Sequence, residues 1–375
     1  MNKNIKATTN NKTLEICCGM GGTRAALTKA GFEIVQSIDF DANAVRFHKE
    51  YWHEADQIDI TKYDKEEIKR ANIVSAGFPC QPFSSSGYRS GFLHEQGNVF
   101  SSIMQLIKEN SYELVFLENV TGLISNSNGR TFRIILSELA KLYRHVEWVT
   151  TNLIEIGFPQ NRDRIIIVAH NYGHPLIADY SESFFHVEQA NLFDEFIDID
   201  DEKNLPPQMP LFGTIESGKW RKAEGARREA LNNFNLHNFI FEEEEEEFRV
   251  LSGRFWARTG KTIFYTSENT HSHNIGASLG NAPTFAIDPK LLSDHVKEKI
   301  EHRSNWTSFH SEKFVFRLKP EESLKFFGDI TLQFYDSIKN FKAPLAIKYR
   351  LIGNMFAPNH AYDVLNHIQQ IRSSN

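Results

Sequence analysis

Between Thr13 and Ala169, short apolar runs alternate with longer amphipathic stretches, and this alternation narrows the fold of the 375-residue chain more than any other feature. Thr13 to Cys18 reads as a strand, as do Glu33 to Ile38, Asn72 to Ala76, Glu113 to Leu117, Val146 to Leu153 and Ile165 to Ala169. Helical patterns fall between them. Thr23 to Ala30 stops at Gly31, and Asp41 to Tyr51, Phe100 to Lys108 and Thr131 to Tyr143 follow. Strands that are apolar almost throughout are covered on both faces, and strands separated by helices pair mostly in parallel. The expected fold class is therefore α/β, a doubly wound, mostly parallel sheet, with a second, smaller domain. Ligands of such sheets collect beyond the carboxyl ends of the strands.

Those ends carry chemistry. The first strand runs into Gly19-Met20-Gly21-Gly22, a turn that opens a helix, and the second delivers Asp39. An acid about twenty residues beyond a glycine turn suits the two hydroxyls of a ribose. Asp59 follows at another short apolar run. Next comes Gly77-Phe78-Pro79-Cys80-Gln81-Pro82-Phe83-Ser84-Ser85-Ser86-Gly87, where two prolines fix the backbone around one thiol. That layout is a nucleophile's, although a buried cysteine in a tight turn is the plainer alternative. Glu118-Asn119-Val120 ends a further strand, and Gln160-Asn161-Arg162-Asp163-Arg164 opens the last. Singly, Glu118 could only cap a segment and the two arginines could only be a solvated pair. Their convergence on one sheet edge favours a site.

Composition sets the surroundings. A hydrophobic content of 41% and a charged content of 24% are those of a globular protein with a large core. A net charge of -6 argues against nonspecific polyanion binding and leaves room for a local basic groove. Three cysteines, two of them the adjacent Cys17 and Cys18, make neither a disulfide framework nor a complete zinc site. A reducing, cytoplasmic setting and no metal are expected. No apolar run approaches membrane-spanning length, and Met1-Asn2-Lys3-Asn4 lacks a signal-peptide core.

Taken together, these residues resemble the cytosine-C5 DNA methyltransferase family of the prokaryotic restriction-modification type. Pro-Cys-Gln-Pro-Phe-Ser stands intact at Pro79 to Ser84, Glu-Asn-Val at Glu118 to Val120, and Gln-x-Arg-x-Arg at Gln160 to Arg164. Gly353-Asn354 is similar to the family's last motif and Arg317 to Gly328 to a degenerate form of the one before it. The resemblance covers about residues 13–170 and 313–365, in family order. It implies a Rossmann-like fold and S-adenosyl-L-methionine as cofactor. It implies transfer of a methyl group to carbon-5 of a flipped-out cytosine in a specific double-stranded DNA sequence. Cys80 would be the nucleophile that adds to carbon-6. Glu118 would hold the ring N3 and amino group, Arg164 would orient the base, and Arg162 would support Arg164 or a phosphate. Ser84, Ser86, Asn119 and Gln160 would contact the substrate, and Ser84 to Asn98 would close over the DNA. Glu15, Ile16, Cys17 and the turn of Gly19, Gly21 and Gly22 would surround the cofactor's methionine portion. Asp39 would bind its ribose, Phe40 would stack on adenine, Asp59 and Ile60 would reach the adenine edge, and Pro79 and Asn354 would complete the pocket. Three residues depart from the family habit: Cys17 replaces an aromatic, Asp39 a glutamate, and Met355 a serine.

The resemblance implies a catalytic domain of residues 1–172 and 340–375 and a target-recognition domain of residues 173–339. In the latter, Lys219-Trp220-Arg221-Lys222, Arg227-Arg228, Arg249, Arg254, Arg258 and Lys261 interleave bases with aromatics, as phosphate and base-edge contacts require. The acidic run Glu242 to Glu247 should lie away from DNA, and His271 and His273 lack the neighbours of a metal site. A monomer associated with DNA in a prokaryotic cytoplasm is expected, with a cognate restriction endonuclease as a genetic rather than physical partner. Three alternatives compete. A tRNA-methylating member would carry Cys-Phe-Thr in the middle region and Pro-Phe-Thr after the nucleophile, and neither is present. A catalytically silent DNA-binding member has no chemical reason to keep Cys80, Glu118 and Arg164 together. An NAD-type dehydrogenase has no use for a cysteine between prolines.

Overall fold

Eight strands form the main sheet of this computed structural model, in the order β3-β2-β1-β4-β5-β7-β6-β8. They are β1 (Lys12–Ile16), β2 (Glu33–Asp39), β3 (Asp56–Gln57), β4 (Ile73–Gly77), β5 (Leu114–Asn119), β6 (His145–Asn152), β7 (Asp163–His170) and β8 (Phe185–Glu188). The structure describes residues 11–79, 99–154, 156–158, 160–177, 185–188, 251–256, 261–264, 284–287, 290, 293–310 and 313–374. Cys80, Ser84, Ser86, the segment 84–98 and most of the basic and acidic clusters of the middle region lie outside them.

Strands β3, β2, β1, β4 and β5 pair in parallel, and β7 is inserted antiparallel between β5 and β6. The expected doubly wound, mostly parallel sheet is the one observed. The direction in which successive strands are added reverses at β1 and β4, which lie side by side in parallel although β2 and β3 separate them in sequence. A crevice opens at such a switch point, beyond the strands' carboxyl ends.

Helices cover both faces because alternate residues of the strands are apolar on both. On one face, α3 (Val99–Asn110) and α5 (Arg130–Ala140) pack Phe100, Ile103, Met104, Ile135 and Leu136 against Leu14, Ile16, Val74, Val115, Leu117 and Ile167. The short α4 (Gly122–Ser125) leads into α5. On the other face, α1 (Gly22–Lys29) lies with the C-terminal helix over Ile73, Leu114, Phe116, Ile166 and Val168. Each fully buried side chain of this kind contributes about 1.5–3 kcal/mol. α2 (Ala42–Trp52) begins where Asp41 Oδ1 accepts the Asn43 amide at 2.9 Å, a side-chain cap that fixes the helix start just past β2.

A second, antiparallel sheet has the order β10-β9-β11-β13-β12. Its strands are β9 (Leu251–Trp256), β10 (Lys261–Phe264), β11 (Thr284–Ile287), β12 (Ser304–His310) and β13 (Lys313–Leu318), with α6 (Asp294–Arg303) preceding β12. Phe285, Ile287, Phe314 and Phe316 from this sheet join Phe47 of α2 and Phe326, Phe327 and Phe334 in one apolar cluster. The chain then passes through α7 (Pro320–Ser323) and α8 (Tyr335–Asn340) to α9 (Leu345–Asn354) and α10 (Pro358–Ser374). Helix α10 buries Ala361, Val364, Leu365 and Ile368 on the main sheet. The C-terminal segment thereby returns to the carboxyl-end crevice.

Candidate active site

At the end of β1 the backbone turns through left-handed conformations at Cys17 (φ 56°), Gly19 (φ 53°) and Gly21 (φ 92°), and Gly21 caps α1. Gly22 follows in close contact with the C-terminal segment: a Cβ there would sit 2.1 Å from the Phe356 carbonyl oxygen and 2.5 Å from Met355 Cγ. Because one of these neighbours is backbone, Gly22→Ala is expected to destabilise the fold by about 1–3 kcal/mol. Urea unfolding measures this, and a variant as stable as wild type would show that α1 and the C-terminal segment separate easily.

Asp39 at the tip of β2 is buried and holds the turn. Its Oδ2 accepts the Gly19 amide and its Oδ1 the Asp41 amide, each at 2.9 Å. Burial raises its pKa despite these donors. Phe40, next in the chain, is 67% exposed, an unusual position for so large an apolar ring. Asp59 Oδ1 accepts both the amide and the hydroxyl of Thr61, a local turn that holds its pKa low, and Ile60 beside it is buried.

Glu15 lies beneath the turn, fully buried. Its Oε2 accepts the Ser37 hydroxyl at 2.7 Å, while Oε1 has no hydrogen-bond partner. Burial lifts its pKa to about 7. Arg24 of α1 reaches the Ser37 hydroxyl and His48 with Nη1, each at 3.3 Å, and pairs through Nη2 with Glu54 at 2.5 Å. Nothing in the local sequence marks Ser37, Arg24 or His48 as members of this cluster.

The second half of the site stands at the tips of β4, β5 and β7. Gly77 lies opposite Glu118 in the β4–β5 ladder, and a Cβ on Gly77 would be 3.2 Å from Glu118 Oε2. The missing side chain lets the carboxylate lean over β4, three residues before Cys80. Asn119 Nδ2 donates to the Phe78 carbonyl at 2.9 Å and Asn119 Oδ1 accepts the Val120 amide, which ties this tip to the chain entering Pro79. Pro79 itself is exposed.

Glu118 Oε1 and Arg164 Nε form an ion pair of 2.8 Å with both side chains nearly buried. Burial raises the Glu118 pKa, and the positive charges of Arg164 and Arg162 pull against it. Arg162 is 1% exposed. Its Nη2 donates to the carbonyls of Gly353 at 2.9 Å and Met355 at 2.7 Å, and its guanidinium carbon lies 4.9 Å from the centre of the Phe327 ring. Arg162 thus clamps the end of α9, from which the exposed Asn354 projects. Gln160 is fully buried, and neither its amide nitrogen nor its amide oxygen has a hydrogen-bond partner.

The structure thus brings Glu118, Asn119, Gly77, Pro79, Arg162 and Arg164 to one part of the crevice, and Gln160 stands two residues before Arg162 on the chain entering β7. Glu15, Ile16, Cys17, Gly19, Gly21, Gly22, Asp39 and Phe40 border the neighbouring part, and Asn354 lies on the segment that crosses to α1.

Comparison with known proteins places the sequence and the fold in one family. The pattern of the family described as C-5 cytosine-specific DNA methylase matches residues 11–370. The Type II methyltransferase M.BsuFI of Bacillus subtilis is 36% identical over 167 residues, which are 44% of this chain and 40% of that protein. M1.ScrFI of Lactococcus lactis subsp. cremoris is 29% identical over 300 residues, 76% of this chain and 73% of that protein. Among solved structures, the Dnmt2 methyltransferase of S. pombe superposes with a TM-score of 0.55 at 14% identity, covering 96% of this chain and 98% of that one, a likeness of fold. With the family pattern running through both the sheet edge and the C-terminal segment, the chain belongs to the C-5 cytosine-specific DNA methylase family.

Proposed function

We infer that this protein transfers a methyl group from S-adenosyl-L-methionine to carbon-5 of cytosine within a specific duplex DNA sequence. The observation that carries the reading is the Glu118–Arg164 pair, desolvated at 2.8 Å and set over Gly77, three residues before Cys80 of the Pro-Cys-Gln-Pro sequence. Family membership supports it.

The chemistry follows from the electronics of the base. Carbon-5 of cytosine is a weak nucleophile until a thiolate adds to carbon-6. Cys80 is the group in the right segment to do so, and loss of the carbon-5 proton later expels it. Charge that builds on N3 as the thiolate adds is relieved by a proton shared with Glu118, whose raised pKa suits that task. Arg164 holds the carboxyl in place and meets the base from the same side. The target carbon is inaccessible in stacked DNA, so the base must leave the helix.

The residues at the glycine turn fit S-adenosyl-L-methionine, which supplies an electrophilic methyl group when bound. Asp39, its oxygens oriented by backbone amides, would hold the ribose hydroxyls; the exposed Phe40 would offer a stacking surface; and Glu15, with an unpartnered buried oxygen, would hold the ligand's ammonium group. Asn354 would close the pocket while Arg162, by holding the end of α9, would position it. The second sheet and the basic residues of 173–339 are proposed to read DNA. No helix among the described residues is long and apolar enough to cross a membrane.

DNA carrying 5-fluorocytosine tests the mechanism. Fluorine cannot leave as a cation, so the final elimination stalls and a covalent adduct through Cys80 is expected with cofactor present. Absence of an adduct across a DNA library, or an undiminished adduct in Cys80→Ser, would sink this reading.

A further inference from the structure

Beneath the glycine turn, Glu15, Cys18 and His48 each bring one donor atom into a single cluster. The carboxylate oxygen, thiol sulfur and imidazole nitrogen lie within 4.8 Å of one another, and all three residues are buried. Two further observations point to a ligand. Glu15 Oε1 is fully buried without a hydrogen-bond partner. His48 Nδ1 faces the Gly19 carbonyl at 3.4 Å, so its proton sits there and leaves Nε2 as the lone-pair atom, 4.0 Å from Glu15 Oε2. A backbone carbonyl that fixes the tautomer and aims the other nitrogen inward is the usual outer support of a metal-ligating histidine.

We propose that Glu15, Cys18 Sγ and His48 Nε2 form a binding site for a divalent cation of the zinc class. A carboxylate, a thiolate and an imidazole are the donor types zinc selects, and three protein ligands leave a fourth position for water. On binding, the Cys18 thiol gives its proton to solvent and the sulfur bonds the metal as a thiolate. Tetrahedral zinc donors stand about 3.5 Å apart, so the cluster must contract by about 1 Å. Rotation of the Glu15 carboxylate about its last torsion, with Oε1 unrestrained, supplies part of that movement.

The cation standing at this point is the guanidinium of Arg24, with Nη1 3.3 Å from His48 Nε2. An incoming ion displaces Nη1 from His48, while Nη2 keeps Arg24 on Glu54, which is partly exposed. Arg24 therefore competes with the metal. A second consequence rests on the cofactor reading given above. Glu15 and Gly19 border both ligands, so metal and S-adenosyl-L-methionine should exclude each other.

The test uses the reduced, metal-free full chain and Co²⁺ as the spectroscopic probe. One equivalent is expected to give a thiolate-to-cobalt charge-transfer band in the near ultraviolet with the visible bands of a four-coordinate site, and Zn²⁺ should displace it. Cys18→Ser should abolish the charge-transfer band, and His48→Ala, which removes a direct ligand, should weaken Co²⁺ binding by more than the about 10–100-fold that loss of an outer support costs. If Cys18→Ser fails to fold, the Cys17→Ser, Cys80→Ser double variant, in which Cys18 is the remaining cysteine, must keep the band. Arg24→Gln should tighten binding by removing the tethered competitor. No band at saturating Co²⁺, a band that survives Cys18→Ser, or a band lost in the double variant overturns the site. Unchanged or weaker binding in a folded Arg24→Gln variant overturns the competition. A band that persists at saturating cofactor overturns the mutual exclusion alone, and the 5-fluorocytosine adduct reports separately on the enzymatic reading.

Discussion

Replacing Glu118 with Gln is expected to lower kcat on cytosine-containing DNA by about 10²–10⁴-fold while leaving DNA affinity nearly unchanged. The amide is isosteric and its oxygen still accepts from Arg164 Nε, so the 2.8 Å contact that fixes the β5 tip survives in neutral form. What disappears is the ability to share a proton with the base while Cys80 adds to carbon-6. Burial raises the carboxyl pKa and the two guanidiniums oppose it, so the group is poised to exchange that proton. Single-turnover methylation gives the chemical step, and DNA binding with a nonreactive cofactor product gives Kd. Equal losses in both would make Glu118 a structural member of the site. Thermal unfolding of the variant provides the control, because the remaining neighbours are positively charged and their mutual repulsion is no longer offset by a full negative charge.

That site was legible in the sequence to different depths. The apolar runs located β1, β2, β4, β5, β6 and β7 within a residue or two, since strands with both faces covered have few polar residues to blur their ends. Asp39 and Glu118 could be placed at strand tips for the same reason. The antiparallel direction of β7 could not be read, because a buried strand looks alike in either direction. Nor could the partner of Arg162 be foreseen: its two acceptors are backbone carbonyls 191 and 193 positions away, and a carbonyl leaves no mark in the sequence. The Glu15, Cys18, Arg24 and His48 cluster was hidden for a related reason. Its members come from a strand end, a turn and two helices, and only the packing of α1 and α2 beside β1 and β2 brings them together. The departure at Met355 has a visible consequence. The side chain is buried against Gly22 where α1 begins, so it packs the C-terminal segment onto the cofactor turn.

Far from this crevice, Glu147→Ala is expected to lower the stability of the fold by about 3–5 kcal/mol, the range for removing one partner from a buried charged network. Glu147 is fully buried on β6 and accepts from His170 Nε2 at 2.5 Å. It also accepts the amides of Leu176 (2.9 Å to Oε1) and Ile177 (2.8 Å to Oε2). His170 Nδ1 in turn accepts the Tyr172 amide at 3.2 Å, so this ring donates its proton to the carboxylate rather than competing for one. The chain leaving β7 is thus folded back onto the sheet around one carboxylate. Truncation to alanine strands two amides and an imidazole N–H in a dry interior, each costing about 1–3 kcal/mol if unpaired. Burial opposes the charge on Glu147, but the hydrogen bonds from His170, Leu176 and Ile177 outweigh it and hold the pKa below the ordinary 4.5. A depressed carboxyl stabilises the fold fully above its unfolded pKa, and the contribution drains away as pH falls through the folded value. Urea unfolding of the wild type should therefore weaken as pH drops below about 4.5, where the unfolded chain binds the extra proton. Glu147→Gln keeps an acceptor for an amide and should be less damaging than alanine, with a shallower acid dependence. An alanine variant that unfolds at the wild-type urea midpoint, or a Glu147→Gln variant with the full wild-type acid slope, would show that the turn after β7 is held by its apolar contacts at Leu176 and Ile177 instead.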